Sequence, residues 1–269
     1  MTTPSTPPTP TTPSIPAGET PAPATPLVTS HVEDRIAVIT LDSPGNRNAL
    51  SSALLTQLHD AITQASADEA LHGILLTSSQ RVFCAGADLK EAAHVDMIDQ
   101  ARRIIALERA IVAAPVPVVV RLDGPVRAGG LGLVASADIV VCAASVTFAL
   151  TEVRLGLAAA TISIPLRARL APRVASDWFL SGRVFTAAEA CQGGLVTRVV
   201  PDPDVYAATH AVLDDLRAGH RQGLVAAKDL LTLDLLADFD ARGEQMARTS
   251  GLLFHSEVAQ AAMAAALRR

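Results

Sequence analysis

The sequence Val82-Phe-Cys-Ala-Gly-Ala-Asp-Leu-Lys90 comes soon after a short apolar run at residues 73–77 and contains the first of two similar small-residue segments. The second, residues 123–133, comes directly after an apolar run at residues 116–122. Small residues let a backbone approach a ligand closely and leave its N–H groups free to donate. Two such N–H groups from separate loops could bracket one carbonyl oxygen and stabilise it as an oxyanion. Either segment alone would equally suit a simple tight turn.

Short apolar strands alternate with helical segments on both sides of this pair. Strands are predicted at residues 32–41, 73–77, 118–122 and 139–143, and helices at 51–65, 100–113 and 130–136. Because buried apolar strands are typical of sheets covered by helices, the pattern predicts an α/β fold. After residue 203 the sequence becomes Ala- and Leu-rich with helical periodicity, and its many apolar positions indicate packing against another subunit.

The composition excludes several classes of function. The chain has 269 residues, 49% of them hydrophobic, and a net charge of −5, which argues against a nucleic-acid surface. Its three cysteines lie far apart without a CxxC pair, so we expect reduced thiols, with neither disulfides nor a zinc site. The sequence shows no signal peptide, no membrane-spanning run, no metal-binding histidine spacing and no dinucleotide-binding motif. We therefore expect a cytoplasmic protein without membrane contact.

Five groups of residues occur in an order that resembles the crotonase (enoyl-CoA hydratase/isomerase) superfamily. They are residues 48–50 (Asn-Ala-Leu), 83–88 (Phe-Cys-Ala-Gly-Ala-Asp), 124–133, 148–156, and 181–196 with its Ser-Gly, Ala-Ala-Glu-Ala and Gly-Leu-Val pieces. The resemblance extends from about residue 32 to residue 269. It implies a crotonase-like fold of repeated ββα units with a helical C-terminal region. It also implies an enzyme that activates acyl-CoA thioesters.

The resemblance assigns the two oxyanion N–H groups to Ala87 and Gly129. It also places two glutamates, twenty residues apart, in family hydratases. The second corresponds to Glu152, but the first position holds Gly132, which has no side chain for acid–base chemistry. One carboxylate suffices to move a proton, as in isomerase members. Water addition conventionally uses two groups, although some hydratase-lyase members resemble this pattern and keep only the second glutamate. Hydratase activity is therefore in doubt.

Several residues stay open between a functional and a structural role. His94 or Glu91 could replace the lost acid, although a solvated helix face would equally explain them. Glu152 itself could begin a helix or pair with Arg154, and Arg127 could approach the substrate or form a structural ion pair.

By resemblance, the CoA-ester site comprises further residues. They are Asn48, Ala49, Leu50, Ala85, Asp88, Leu89, Lys90 and Gly130, with Phe254 and Arg268 contributed by a neighbouring subunit. Coenzyme A is part of the substrate, so no separate cofactor is implied. We expect a homotrimer or a hexamer.

Three parts of the chain are predicted: a disordered Pro/Thr-rich tail at residues 1–27, a core with the CoA and oxyanion site at 28–203, and a helical oligomerisation region at 204–269. The predicted function is acyl-CoA processing through a thioester enolate, with a single glutamate for proton transfer. Two alternatives remain. They are an acyl-CoA hydrolase in which Glu152 directs water, and a non-catalytic acyl-CoA-binding protein.

Overall fold

A six-stranded sheet forms the centre of the protein in the computed structural model, which describes residues 26–268. Its order is β1-β2-β3-β4-β6-β9, and every neighbouring pair is parallel except β1 with β2. The strands are β1 (Val28–Glu33), β2 (Ile36–Leu41), β3 (Gly73–Ser78), β4 (Val118–Leu122), β6 (Ile139–Ala143) and β9 (Arg198–Val200). The central strands β3 and β4 are buried on both faces, as their continuous apolar sequences predict.

A small second sheet packs beside the first. Its order is β5 (Val126–Arg127), β7 (Thr147–Ala149) and β8 (Val184–Thr186). The Trp178 and Phe185 rings stack at 3.7 Å between centroids, and Phe148 stacks on Phe185 at 5.5 Å. These rings are three of the eight aromatic residues of the chain, and stacked rings of this kind stabilise a core beyond the area that they bury.

The predicted strand at residues 32–41 is wrong as a single strand. The structure divides it into the antiparallel hairpin of β1 and β2, which turns at Asp34 and Arg35. Both residues have left-handed φ values, 43° and 64°. A two-residue turn of this hand matches the twist of the flanking strands, but usually contains Asn or Gly. The pair Asp-Arg therefore carried no turn signal.

Helices cover the sheets and begin close to their predicted starts. Ser51 caps α1, where its side chain accepts a hydrogen bond from the Leu54 N–H at 3.3 Å. Asp96 caps α2, which begins three residues earlier than predicted. The helices are α1 (Ser52–Ala67), α2 (Met97–Ala113), α3 (Gly130–Ser136), α4 (Ser163–Arg169), α5 (Pro172–Ser181), α6 (Ala187–Gln192), α7 (Val205–Ala218), α8 (Arg221–Phe254) and α9 (Glu257–Leu267).

The C-terminal helices pack on the core. The long helix α8 runs along α2, and α9 contacts the segment that follows β7. Two elements position the site described below: the loop after β3 and the turn from β5 into α3. No helix within residues 26–268 is long and apolar enough to cross a membrane. Most of the predicted tail, residues 1–25, lies outside the described residues.

Candidate active site

One cavity lies between the two small-residue segments. It encloses about 120 Å³. The first segment contributes Ala85, Ala87 and Leu89, and the second contributes Ala128 and Gly129. The remaining wall comes from α2, the segment after β7, and α8. Its residues are Met97, Ala101, Ile104, Thr151, Glu152, Leu155, Leu157, Ala158, Ala159, Thr161, Ser250 and Phe254.

The two segments meet at Gly86. Its φ is +93°, and a Cβ built there would lie 2.8 Å from the Ala128 Cβ and 3.6 Å from the Gly129 nitrogen. Only glycine fits both this backbone conformation and this close approach. An isolated β-bridge between Cys84 and Val126 joins the same two segments, two residues before Gly86 and Ala128. The small residues therefore bring two loops into contact around a shared cavity.

The backbone at Ala87 and Gly129 is suited to donating hydrogen bonds. Gly129 is the residue before α3, where the first N–H groups of a helix have no intrahelical acceptor. Among the described residues, neither the Ala87 nor the Gly129 N–H donates to another backbone carbonyl. Both residues line the cavity. An acceptor atom inside the cavity could therefore receive hydrogen bonds from two loops.

Glu152 is the carboxyl group of the cavity wall. It begins a short 3-10 helix, Glu152–Leu155, and its Oε2 atom is buried without a hydrogen-bond partner in the described part of the chain. Burial disfavours the charged form and raises the pKa of Glu152 to about 7. No ion pair with Arg154 occurs among the described residues, and Arg154 is exposed. A carboxyl with this pKa can both take and return a proton near neutral pH.

Gly132 lies in α3, fully buried, with its Cα facing α2. A Cβ at this position would overlap Oε1 of Glu108 and would lie 2.9 Å from the Glu108 Cδ. No sequence pattern predicted a role for Glu108. One available signal was its acidic side chain on the apolar face of α2 defined by Met97, Ala101 and Ile104.

The residues predicted to bind the CoA ester fall into two groups. Ala85, Leu89 and Phe254 line the cavity with Ala87, Gly129 and Glu152. The others lie outside it; they are Asn48, Ala49, Leu50, Asp88, Lys90, Gly130 and Arg268. Their contacts to a CoA ester remain predictions.

Asn48 supports the first small-residue segment from behind. Its amide nitrogen donates to Ser78 Oγ at 2.8 Å and to the Val82 and Phe83 carbonyls at 3.1 Å each. Its Oδ1 accepts from the Ser43 N–H at 2.7 Å. Because these bonds join the loop after β2 to the loop after β3, Asn48 holds the segment in place.

Leu50 and Gly130 are packing residues beneath the cavity. The Leu50 N–H donates to the Gly86 carbonyl at 2.8 Å, and a Cβ at Gly129 would lie 2.9 Å from the Leu50 Cδ1. Gly130 is equally tight, since a Cβ there would lie 2.7 Å from the Cys84 Cβ. Ala49, beside Leu50, is buried.

Asp88 organises the turn after the first segment. Its Oδ1 accepts from the Lys90 N–H at 3.0 Å and the Glu91 N–H at 3.3 Å, and its Oδ2 accepts from Asn46 at 3.0 Å. The Lys90 side chain is exposed just beyond the cavity-lining Leu89. A cation there is available to a phosphate group of a bound ester.

Phe254 differs from the expectation that a neighbouring subunit supplies it. It ends α8, is buried, and lines the cavity of its own chain beside Met97 and Leu157. The reason is the length of α8, which runs back along α2 to the cavity. Arg268 is exposed at the end of α9, away from the cavity.

The candidates for a replacement acid have other environments. Glu91 Oε2 accepts from the Ser52 N–H at 2.7 Å at the start of α1, and His94 is exposed. The Arg127 guanidinium donates to the Thr147 carbonyl at 2.6 Å, which favours a structural role through hydrogen bonds rather than an ion pair.

Burial raises the pKa of the Cys84 thiol to about 12, which excludes a thiolate nucleophile at neutral pH.

Within residues 26–268, no group of three or more His, Cys, Asp or Glu side chains is placed to hold a metal ion.

Comparison with known proteins places this chain in one family. Residues 31–266 match the family described as Enoyl-CoA hydratase/isomerase. The mouse (Mus musculus) enoyl-CoA hydratase domain-containing protein 3, mitochondrial, is 30% identical over 220 residues, 79% of this chain and 72% of the relative.

Solved structures share the architecture. The crystal structure of an enoyl-CoA hydratase from Mycobacterium avium has a TM-score of 0.84 and 41% identity, covering 90% of this chain and 96% of that one. Methylmalonyl CoA decarboxylase has a TM-score of 0.76 at 23% identity, covering 90% of this chain and 95% of that one, which shows the fold alone. The architecture is thus the α/β crotonase fold, with its helical C-terminal region, as predicted. The chain belongs to the enoyl-CoA hydratase/isomerase family of acyl-CoA-processing enzymes.

Proposed function

We propose that the protein forms a thioester enolate in this cavity and moves a proton with Glu152. The observation that carries the proposal is the convergence of three groups on one small cavity. Ala87 and Gly129 each offer a backbone N–H there, and Glu152 offers a carboxyl whose pKa is raised by burial to about 7. Hydrogen bonds to a developing oxyanion in a site shielded from water lower the barrier to enolate formation.

The reaction that these groups support is double-bond migration in an enoyl-CoA ester. The Glu152 carboxylate removes a proton from the carbon next to the thioester, and the C–H electron pair shifts to the thioester oxygen between the two N–H groups. The enolate then collapses and takes a proton from Glu152, which can exchange with solvent in the meantime, at the far carbon of the allylic system. No atom is gained or lost, and Glu152 returns to its starting state.

A mixture of 2-enoyl- and 3-enoyl-CoA esters in heavy water, analysed by mass spectrometry, tests the proposal. We expect 3-enoyl esters to become 2-enoyl esters with deuterium incorporation. Release of free CoA thiol would instead identify the hydrolase. Tight binding of every ester without exchange would identify the non-catalytic binder and contradict the proposal.

The pH dependence of double-bond migration follows from the Glu152 carboxyl. The deprotonated form is the base, so kcat/KM should rise about tenfold per pH unit below pH 7 and level off above it. A rate profile for a 3-enoyl-CoA ester between pH 5 and pH 8.5 measures this directly. A profile that is already flat at pH 5.5 would contradict the assignment, since an unperturbed glutamate is fully ionised there.

We also propose a homo-oligomer, a trimer or a hexamer, formed in part by α8. Leu230, Leu231 and Leu233 on this helix are 75%, 80% and 62% exposed, which is costly for a monomer in water. A second copy of the chain would cover this apolar surface.

Replacing Leu230 and Leu231 together by glutamate should shift the protein toward the monomer, because charged side chains would have to be buried at the interface. Light scattering coupled to size-exclusion chromatography gives the mass. The matched control is Leu180→Glu, which changes a 78% exposed leucine on α5. A wild-type protein that is monomeric at all concentrations would contradict the proposal.

The cytoplasmic location remains a proposal, supported by the three free cysteines, two of them buried. The mouse relative is named as mitochondrial. Fractionation of cells of the source organism distinguishes the two locations.

A further inference from the structure

Glu108 is a buried carboxyl that no contact explains. It is 0% exposed in the middle of α2, and neither carboxyl oxygen has a hydrogen-bond partner among the described residues. Burial alone raises its pKa well above the ordinary value, which favours the protonated form of the carboxyl. An unpartnered acid costs stability at a position where leucine or methionine would pack without that cost. A purely structural residue at this position would be apolar.

The direction of the Glu108 side chain connects it to the cavity. Met97, Ala101 and Ile104 line the cavity from α2, and Glu108 continues the same helix face one turn beyond Ile104. Long helical side chains lean toward the helix N-terminus, which here is the direction of Ile104 and the cavity. The carboxyl contacts α3 at Gly132, three residues beyond the cavity-lining Gly129, and does not itself line the cavity.

Gly132 makes room for this carboxyl. A Cβ at Gly132 would overlap Glu108 Oε1, so any side chain on α3 at this point would compete with Glu108 for the same space. Gly132 is also three residues beyond Gly129, the position where the resemblance to family hydratases places the first glutamate. A carboxyl from α2 thus occupies the space beside the α3 position where the family carries a carboxyl.

Glu108 together with one water molecule would reach about as far as a glutamate side chain at residue 132. A glutamate extends about 4 Å from its Cβ to its carboxyl oxygens. The Glu108 oxygen already lies at the Cβ position of residue 132, and a hydrogen bond to water spans a further ~2.8 Å. A water bound to Glu108 on the side that faces the cavity would therefore stand close to where a carboxyl oxygen from residue 132 would act.

We propose that Glu108 is the second proton-transfer group of this site, acting through one water, and that the enzyme adds water across 2-enoyl-CoA esters. This rests on the proposed function, because it needs the enolate site of Ala87, Gly129 and Glu152. Glu108 takes the role that Gly132 cannot fill, and the reaction class extends from double-bond migration to hydration.

The proposed hydration step balances as follows. The Glu152 carboxylate takes a proton from the attacking water as its oxygen bonds to the carbon β to the thioester. The double-bond electrons move to the thioester oxygen, and the resulting enolate takes a proton at its α-carbon from the bridging water, which Glu108 reprotonates. The product is a 3-hydroxyacyl-CoA ester. A proton passing through solvent from Glu152 to Glu108 resets the enzyme.

The Glu108→Gln variant tests this assignment because glutamine keeps the size of the side chain but cannot supply the proton. Two reactions are followed on the full-length protein: migration in a 3-enoyl-CoA ester, and hydration of a 2-enoyl-CoA ester. We expect kcat for hydration to fall at least 10²-fold. Migration, which needs only Glu152, should stay within threefold, with KM unchanged in both reactions. Glu69→Gln, at an exposed carboxyl, is the control for loss of a glutamate.

Moving the carboxyl back to α3 provides a rescue that a packing role could not produce. Glu108→Ala should lose hydration. The double variant Glu108→Ala with Gly132→Glu should hydrate at least tenfold faster than Glu108→Ala alone. In the double variant, the new side chain occupies the space that Glu108 leaves, and the Ile162 side chain, whose Cγ2 would lie 2.5 Å from the new Cβ, must shift to admit it. Thermal unfolding checks that each variant is folded.

The outcomes separate this inference from the proposed function. Migration by the wild type without any hydration, or hydration by Glu108→Gln at more than half the wild-type rate, overturns the inference alone. Absence of migration and of deuterium exchange in the wild type overturns the proposed function, and the inference with it.

Discussion

Glu152→Gln should lower kcat for double-bond migration by roughly 10²- to 10⁴-fold, the contribution of a well-placed general base. The glutamine amide has nearly the same shape as the carboxyl but cannot accept the substrate proton. Because Ala87 and Gly129 offer their backbone N–H groups independently of this side chain, the affinity for a CoA ester should change by less than threefold. The measurement is steady-state kinetics with a 3-enoyl-CoA ester, together with calorimetric titration of a saturated acyl-CoA.

The matched control for this variant is Glu69→Gln, which removes an exposed carboxyl from the loop between α1 and β3. It should match the wild type in both measurements. If Glu152→Gln retains full turnover, Glu152 takes no part in the chemistry. If it loses affinity as strongly as turnover, the residue contributes to ground-state binding, and the proposed division of roles is wrong.

Gly86→Ala should damage both activity and stability. At a φ of +93° an alanine is strained, and its Cβ would press on the Ala128 Cβ at 2.8 Å. Such strain costs about 1–3 kcal/mol. Relief requires the two small-residue loops to separate, which would move the N–H groups of Ala87 and Gly129 relative to each other. A displacement near 1 Å costs ~10²-fold in rate, so kcat/KM for migration should fall by about that factor.

Gly223→Ala is the control, because it makes the same chemical change where no atom lies within 4 Å of the new Cβ. Gly223 lies inside helix α8, so alanine should stabilise the protein by about 0.4–1 kcal/mol and leave kcat/KM unaltered. Thermal unfolding and steady-state kinetics of both variants give the comparison. A Gly86→Ala protein with wild-type kcat/KM would show that the spacing of the loops does not matter.

Much of the architecture follows from local patterns in the chain. The strands at Val118–Leu122 and Ile139–Ala143, and helix Gly130–Ser136, occur where the apolar runs and small residues predict them. Ser51 accepts the capping hydrogen bond that its position before an amphipathic helix suggests. These features are predictable because apolar period, capping and breaker residues act within a few positions of one another.

The β1–β2 hairpin shows where local patterns are insufficient. Asp34 and Arg35 turn the chain in a left-handed conformation without the usual Asn or Gly. Strand pairing decides this turn. Because β2 pairs with β3 on one side, β1 must fold back along the other side of β2, at the edge of the sheet. The pattern of side chains along one strand does not predict which strand pairs beside it.

The candidate site divides in the same way. Ala87, Gly129 and Glu152 were predicted from the resemblance of their segments to those of the family, and each of these segments is short and local. The contacts between the helices that surround the cavity could not be predicted from the sequence. Glu108 contributes to the region behind the cavity only because α2 packs across α3, and Phe254 reaches its own chain's cavity only because α8 runs back along α2.

Residue order thus specifies the backbone cradle and one carboxyl, because those depend on conformations available within short segments. Packing specifies the second carboxyl, because the contact between Glu108 and Gly132 joins helices that are separated along the chain. The fit of side chains between two helices depends on how the helices dock, and docking is settled by the whole core at once.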